Sequence, residues 1–187
     1  MNINQSPNTH DFKEKMEESH KQDPKVQEFL KNYFVDCENV TITRKFSEER
    51  KGIDFSVHLK TGKRIKIDLK HREKGASKYW QNGPEIALEI WSIKPNSYYY
   101  YTNEEPERQQ IGWSLDDSKE TDFILYTFDD IEEKYMISFE LLKNALKKNG
   151  KSWIKNYKYV EQTTHSGMNT WKSSVLFLPV KVLLSAI

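Results

Sequence analysis

The 187 residues suffice for one domain with a real core, and 30% are charged, yet the formal net charge is only +1. That balance excludes the global basic field that announces nucleic acid, leaving room only for a local basic face, and 13% aromatic residues exclude wholesale disorder. The single Cys37 excludes an intrachain disulfide framework and suits a reducing cytoplasm, and with neither a signal-peptide core nor roughly twenty apolar residues in a row, a cytoplasmic chain without a membrane partner is expected.

Residues 1–22 are polar and read as an N-terminal arm, or as a solvated helix around Asp11–His20, ahead of a single domain spanning the rest of 1–187. Pro24 opens a helix that Asp23 caps. Val26, Phe29, Leu30, Tyr33 and Phe34 fall at helical spacing and form its core face. Glu28 lies off that stripe, either on the surface or reaching toward a site above it. Asn39–Phe46 is a strand, and Ser47–Gly52 a polar turn.

The stretch 52–70, GIDFSVHLKTGKRIKIDLK, carries the chemistry. Ile53, Phe55, Val57 and Leu59 alternate with Asp54, Ser56 and His58. Ile65, Ile67 and Leu69 alternate with Lys66, Asp68 and Lys70. Strict period two on both sides of Lys60-Thr61-Gly62 predicts a half-buried hairpin. A two-residue turn would set Asp54 against Leu69 and put a carboxylate on the apolar face. A three-residue loop with Gly62 left-handed sets Asp54 opposite Asp68 and Phe55 opposite Ile67, which keeps the apolar set together.

Two carboxylates facing each other across strands repel. A cation between them turns that cost into a site, and carboxylate oxygens suit Mg²⁺. Lys70 lies one strand step from Asp68, where it can reach a phosphate or the water attacking it. The set suits metal-assisted phosphodiester hydrolysis. The plain alternative is a solvated polar strand face. His58 either lines the site or is a solvated strand histidine.

Downstream, His71–Gly83 is a polar segment in which Lys70, His71, Arg72, Lys74 and Lys78 cluster beside Tyr79 and Trp80. Basic residues interleaved with aromatics suit a nucleic-acid backbone and its bases. A solvated loop with its aromatics tucked inward is the equal alternative. Pro84–Ser92 is a strand with Glu89 in its middle, either a third acidic group or an edge charge facing water. Lys94–Gln110, with the run Tyr98–Tyr101, is loop-like. Ser118 is expected to cap a short turn at Lys119–Asp122. Phe123–Phe128 and Tyr135–Phe139 are strands, and Glu140–Asn149 is a helix ended by Gly150. A polar, basic run Lys151–Lys158, a loop Thr163–Asn169, a strand Trp171–Leu178 and a terminal apolar turn or helix after Pro179 complete the chain. No Walker loop, Gly-rich dinucleotide fingerprint, CxxC pair or internal repeat occurs.

The order helix, strand, strand with Asp54, strand with Asp68-Leu69-Lys70 resembles the PD-(D/E)XK nuclease superfamily. The resemblance carries the family's first acid onto Asp54, its second onto Asp68 and its lysine onto Lys70. Ile53 stands where a proline is usual. A second stretch, Glu89, Ser92, Gly112, Ser118, Asp122 and FILYTF, is similar to a branch common in phage and bacterial genomes. Together the two stretches cover about Val26–Phe139.

The resemblance implies an α/β (α+β) fold, a mixed central β-sheet flanked by helices of the restriction-endonuclease-like kind. It implies a Mg²⁺-dependent nuclease, with Mn²⁺ as a substitute and DNA as the preferred substrate. Asp54, Asp68 and the Leu69 carbonyl would hold the metal, Lys70 would act on water or developing charge, and Glu89 would complete the shell. Arg72, Lys74 and Lys78 would hold phosphates. A homo-oligomer is compatible with this reading. The alternative is a catalytically silent binding protein on the same fold, an inhibitor or an assembly subunit. A metal enzyme on another fold would leave Asp54 and Asp68 apart.

Overall fold

Period-two alternation does build the hairpin, and its register follows from one glycine. Gly62 has φ +83, a conformation that L side chains rarely adopt, and this lets a three-residue loop close between Leu59 and Lys63. Phe55 then stands opposite Ile67, Ser56 opposite Lys66 and Val57 opposite Ile65. The computed structural model describes residues 23–97, 99–100, 108–166 and 169–187. The expected N-terminal arm lies outside the described residues, as do Tyr98, Tyr101 and 102–107 of the tyrosine-bearing loop.

Helix α1 (Asp23–Tyr33) leads into strand β1 (Cys37–Ile42), the short helix α2 (Phe46–Glu49), β2 (Phe55–Leu59) and β3 (Arg64–Arg72). A 3-10 turn (Ala76–Tyr79) precedes β4 (Glu85–Ile93), β5 (Tyr99–Tyr100) and β6 (Gln110–Ile111). Then follow β7 (Phe123–Phe128), β8 (Glu133–Ser138), α3 (Phe139–Asn156), β9 (Lys158–Ser166), β10 (Asn169–Pro179) and α4 (Val180–Leu184). The fold is mixed α and β, with four α-helices among the described residues.

One sheet has the order β1-β2-β3-β7-β8 and is mixed, because β3 and β7 run parallel while the other pairs are antiparallel. Parallel neighbours need a long crossover. Here residues 73–122 supply it, and they carry β4, β5 and β6 into a second sheet of order β5-β10-β4-β6, with β9 on β10.

Two apolar clusters hold these layers. Val26 and Leu30 of α1 pack with Phe55, Val57, Ile65, Ile67 and Leu125 on one face of the first sheet. On its other face Ile124, Tyr126 and Phe128 pack with Ile86 and Leu88 of β4, Leu176 and Leu178 of β10, and Leu142 and Trp153 of α3. Asp68 and Lys70 are in register with Ile124 and Tyr126, so they share that second face. The polar side of the hairpin therefore looks toward the second sheet, and the reading of it as a merely solvated face does not hold at Asp68, which is 3% exposed.

Several expectations are corrected. The helix predicted to stop at Gly150 runs on to Asn156, because Trp153, 7% exposed, anchors its last turns in the core. Phe139 begins that helix instead of ending a strand. The polar stretch after it, including the expected loop from Thr163, forms β9 up to Ser166, held along its length by β10. Lys119–Asp122 forms no helical turn, and the Ser118 hydroxyl donates to Asp116 at 2.6 Å. Strand β1 runs Cys37–Ile42 and stops short of Phe46, the expected strand end, which instead begins the helix Phe46–Glu49 that enters the expected turn. No helix among the described residues is long and apolar enough to cross a membrane.

Candidate active site

Asp54 sits just before β2, where the backbone fixes it from both sides. Its N–H donates to the Ile67 carbonyl at 2.9 Å, and its carbonyl accepts from the Thr43 N–H at 2.7 Å. Its Oδ2 accepts the Leu69 N–H at 2.8 Å. That bond carries the carboxylate across to β3, beside Asp68. The Asp68 Oδ1 lies 2.5 Å from Lys70 Nζ. Gly52 makes room for the pair: a Cβ there would stand 3.4 Å from Asp68 Oδ2 and 3.2 Å from Lys119 Cδ, on a backbone with φ +74.

The charges are unbalanced, with two carboxylates against one ammonium. Burial, then the negative charge of Asp68, pushes the Asp54 carboxyl up to about 7, and Lys70 and the Leu69 N–H offset this only in part. For Lys70, burial disfavours the charge, but Asp68 and Asp54 outweigh it and the pKa lies above its ordinary value. Lys70 is therefore an ammonium. Its side chain is 27% exposed, and Nζ stands 5.0 Å from the centroid of the Trp113 ring.

Glu89 stands mid-strand in β4, as expected, but its partners are other than the two aspartates. Its Oε2 accepts the Ser92 hydroxyl at 2.8 Å and the Trp113 N–H at 3.4 Å. The Ser114 hydroxyl binds its carbonyl at 2.6 Å. Gly112 lies so close that a Cβ would fall 2.1 Å from the Glu89 carbonyl oxygen. Glu89 thus fixes the 112–114 turn, and that turn sets the Trp113 ring against Lys70. Tyr126, in register with Lys70, closes the same side by accepting the Ala87 N–H at 2.8 Å.

The remaining expected residues fall into two groups. Arg72, Lys74 and Lys78 line one cleft of about 390 Å³ with His71 and Tyr79, at the exit of β3. His58 and Glu28 do not join the site: His58 bonds Thr41 at 3.2 Å, and Glu28 is exposed. Sequence reasoning missed Trp113, which carries no local signal, and Lys158, whose strand was hidden by its polarity. Of the second stretch, Asp122 binds the Lys66 N–H at 2.8 Å and Glu120 pairs with Lys51 and Lys66, so this loop laces over the hairpin.

Among the described residues no group of three or more His, Cys, Asp or Glu side chains is arranged to hold a metal ion. The acidic donor set is the Asp54–Asp68 pair. The Leu69 N–H takes Asp54 Oδ2, Lys70 takes Asp68 Oδ1, and the two carboxyl groups also meet each other in a hydrogen bond, a contact that a bound cation would replace. A Mg²⁺ ion is commonly held by one or two carboxylates, with water and substrate phosphate in its other positions. The residues present fit that demand. No family model, curated protein or solved structure matches the chain.

Proposed function

We propose that the protein is a Mg²⁺-dependent nuclease of the PD-(D/E)XK kind, hydrolysing phosphodiester bonds in DNA on a restriction-endonuclease-like core. Mn²⁺ would serve in place of Mg²⁺. The observation that carries this reading is the undercompensated carboxylate pair on adjoining strands, with one ammonium a strand step beyond it. Burying two carboxylates against a single positive charge is costly, and the cost is understandable where a cation and a polyanion complete the balance.

Asp54 and Asp68 would hold the ion, beside the Leu69 carbonyl. The ion supplies Lewis acidity toward the scissile phosphate. Lys70 keeps its proton at Nζ and, anchored by Asp68, orients the attacking water or balances charge developing on phosphate oxygens. The Trp113 ring lies against the ammonium, a cation–π contact that favours one placement of Nζ. Glu89 acts through Trp113 as a positioning residue in this scheme, a different role from completing the metal shell.

The test is cleavage of supercoiled plasmid, linear duplex, single-stranded DNA and RNA, each with Mg²⁺, Mn²⁺ or EDTA. Cutting that requires the metal and disappears in Lys70→Ala and Asp68→Asn is the expected result. A folded protein that cuts none of these substrates would defeat the reading and favour the silent binding protein.

A further inference from the structure

Cations and aromatic rings from four elements converge where β3 leaves the site. Arg72 follows Lys70 by two residues on the same face, about 6.7 Å along the strand. Its guanidinium carbon lies 5.4 Å from the ring centroid of Phe177 on β10. Lys158, opposite Phe177 in the β9–β10 ladder, holds its Nζ 5.1 Å from the same centroid. That Nζ also lies 5.8 Å from the Tyr79 ring, and Lys78 Nζ lies 4.9 Å from it. Tyr79 is 59% exposed at the end of the 3-10 turn.

Among the described residues none of Arg72, Lys78 and Lys158 forms an ion pair. Arg72 Nε is buried without a hydrogen-bond partner. The neighbouring acids are committed elsewhere: Asp129 faces His71 at 3.1 Å, and Asp130 accepts the Gly75 and Ser77 N–H groups at 2.7 Å each. Glu73 is an exposed carboxylate on the cleft that Arg72, Lys74 and Lys78 line, and Lys74 acts on Asp130, so the cations left to this surface are Arg72, Lys78 and Lys158. The Asp130 bonds also fix the turn that presents Tyr79, so the surface is formed in advance.

Uncompensated cations suit phosphates, and an exposed ring flanked by them suits the face of an unstacked base. A duplex offers no free base face to such a ring. We propose that this surface is the track for a single-stranded polynucleotide, one unpaired base stacking on Tyr79 while Lys78, Lys158 and Arg72 hold the flanking phosphates. Arg72 then hands the strand to Lys70. Only this destination rests on the nuclease reading, since the binding itself needs no reaction.

The test is fluorescence anisotropy of the full chain in EDTA, with labelled oligothymidylate, oligouridylate and a duplex, each about twelve nucleotides long. Single strands should bind about tenfold more tightly than duplex. Three phosphate contacts predict a slope of log K against log salt of about −2. Tyr79→Ala should weaken single-strand binding by roughly five- to a hundredfold, with Tyr79→Phe restoring it. Lys158→Ala should flatten the slope by about 0.7. The oligouridylate arm decides between DNA and RNA within the proposal. Duplex bound as tightly as single strand, or unchanged binding by Tyr79→Ala, overturns it. If no substrate, single-stranded DNA and RNA included, is cut while this binding holds, the nuclease reading falls and the track stands; cutting without this binding removes the track alone.

Discussion

The carboxylates at the centre of this protein and those at its rim are held in opposite ways. At the rim three acids, Glu120, Asp117 and Asp130, are each met by two donors. Glu120 lies 2.6 Å from Lys51 and 2.8 Å from Lys66, which brings it down to about 2. Asp117 faces Lys143 and Lys147, and both lower its pKa. Asp130 is lowered by the backbone N–H groups of Gly75 and Ser77. At the centre, Asp54 and Asp68 share one ammonium, and burial sends Asp54 the other way. Matched acids tie loops to sheets at little cost. The unmatched pair carries a standing electrostatic cost, and such a cost is a mark of a functional site.

Removing the charge at the centre should have the largest effect. Lys70→Ala is expected to slow metal-dependent cutting by on the order of 10²–10³-fold. Lys143→Ala, which strips a cation from rim Asp117, should leave the initial rate on supercoiled plasmid unchanged. Equal losses in the two variants would erase the distinction between centre and rim.

Next comes stability against pH in metal-free buffer. The folded protein holds the Asp54 proton more tightly than the unfolded chain does. Its contribution is therefore fully present below 3.8 and is lost as pH rises to about 7. The loss is up to about 4 kcal/mol across that window. Urea melts of Asp54→Asn should lack this fall, making the variant more stable than the parent above the window. Mg²⁺ should raise the Tm of the parent there, and raise it less in Asp54→Asn. Parallel pH profiles for the two proteins would show that the pair is compensated after all.

Gly112→Ala sharpens the comparison from the flank. Its Cβ would meet the Glu89 carbonyl oxygen at 2.1 Å, so the backbone must move. A loss of roughly 1–3 kcal/mol in urea unfolding is expected, together with slower cutting as Trp113 shifts from Lys70. The smallest effect belongs to the rim. Asp130→Ala should speed amide exchange at Gly75 and Ser77 without moving the global melt. In the parent the same loosening should appear only as pH falls below the ordinary aspartate range, because the carboxylate is held ionised there.

The centre was legible in the chain because its signals are local. Period two from Ile53 to Lys70 and a left-handed Gly62 fix which side chains face each other, whatever the rest of the molecule does. The α1 core face was readable for the same reason, with Val26 and Leu30 buried at helical spacing, although Tyr33, expected on that face, is 52% exposed. The rim was not, and of the exit track only Arg72, Lys74, Lys78 and Tyr79 were, because they lie in one segment, whereas Lys158 and Phe177 come from strands far along the chain. Lys158–Ser166 is polar and had no reason to be a strand until β10 offered it a ladder. Gly150 is a helix stop by its own propensity, and the burial of Trp153 overrides it.

By itself, then, the sequence determined the hairpin, its register and the confrontation of Asp54 with Asp68, since these depend on alternation and one turn. Only the tertiary structure decided that a second sheet, reached by the crossover from β3 to β7, would cover that face. That packing set Trp113 against Lys70, bound Glu89 to the Trp113 turn, and gathered Arg72, Lys158, Phe177 and Tyr79 at one exit. Contacts between residues so far apart in the chain leave no local pattern, because they are selected by burial of the apolar clusters beneath them.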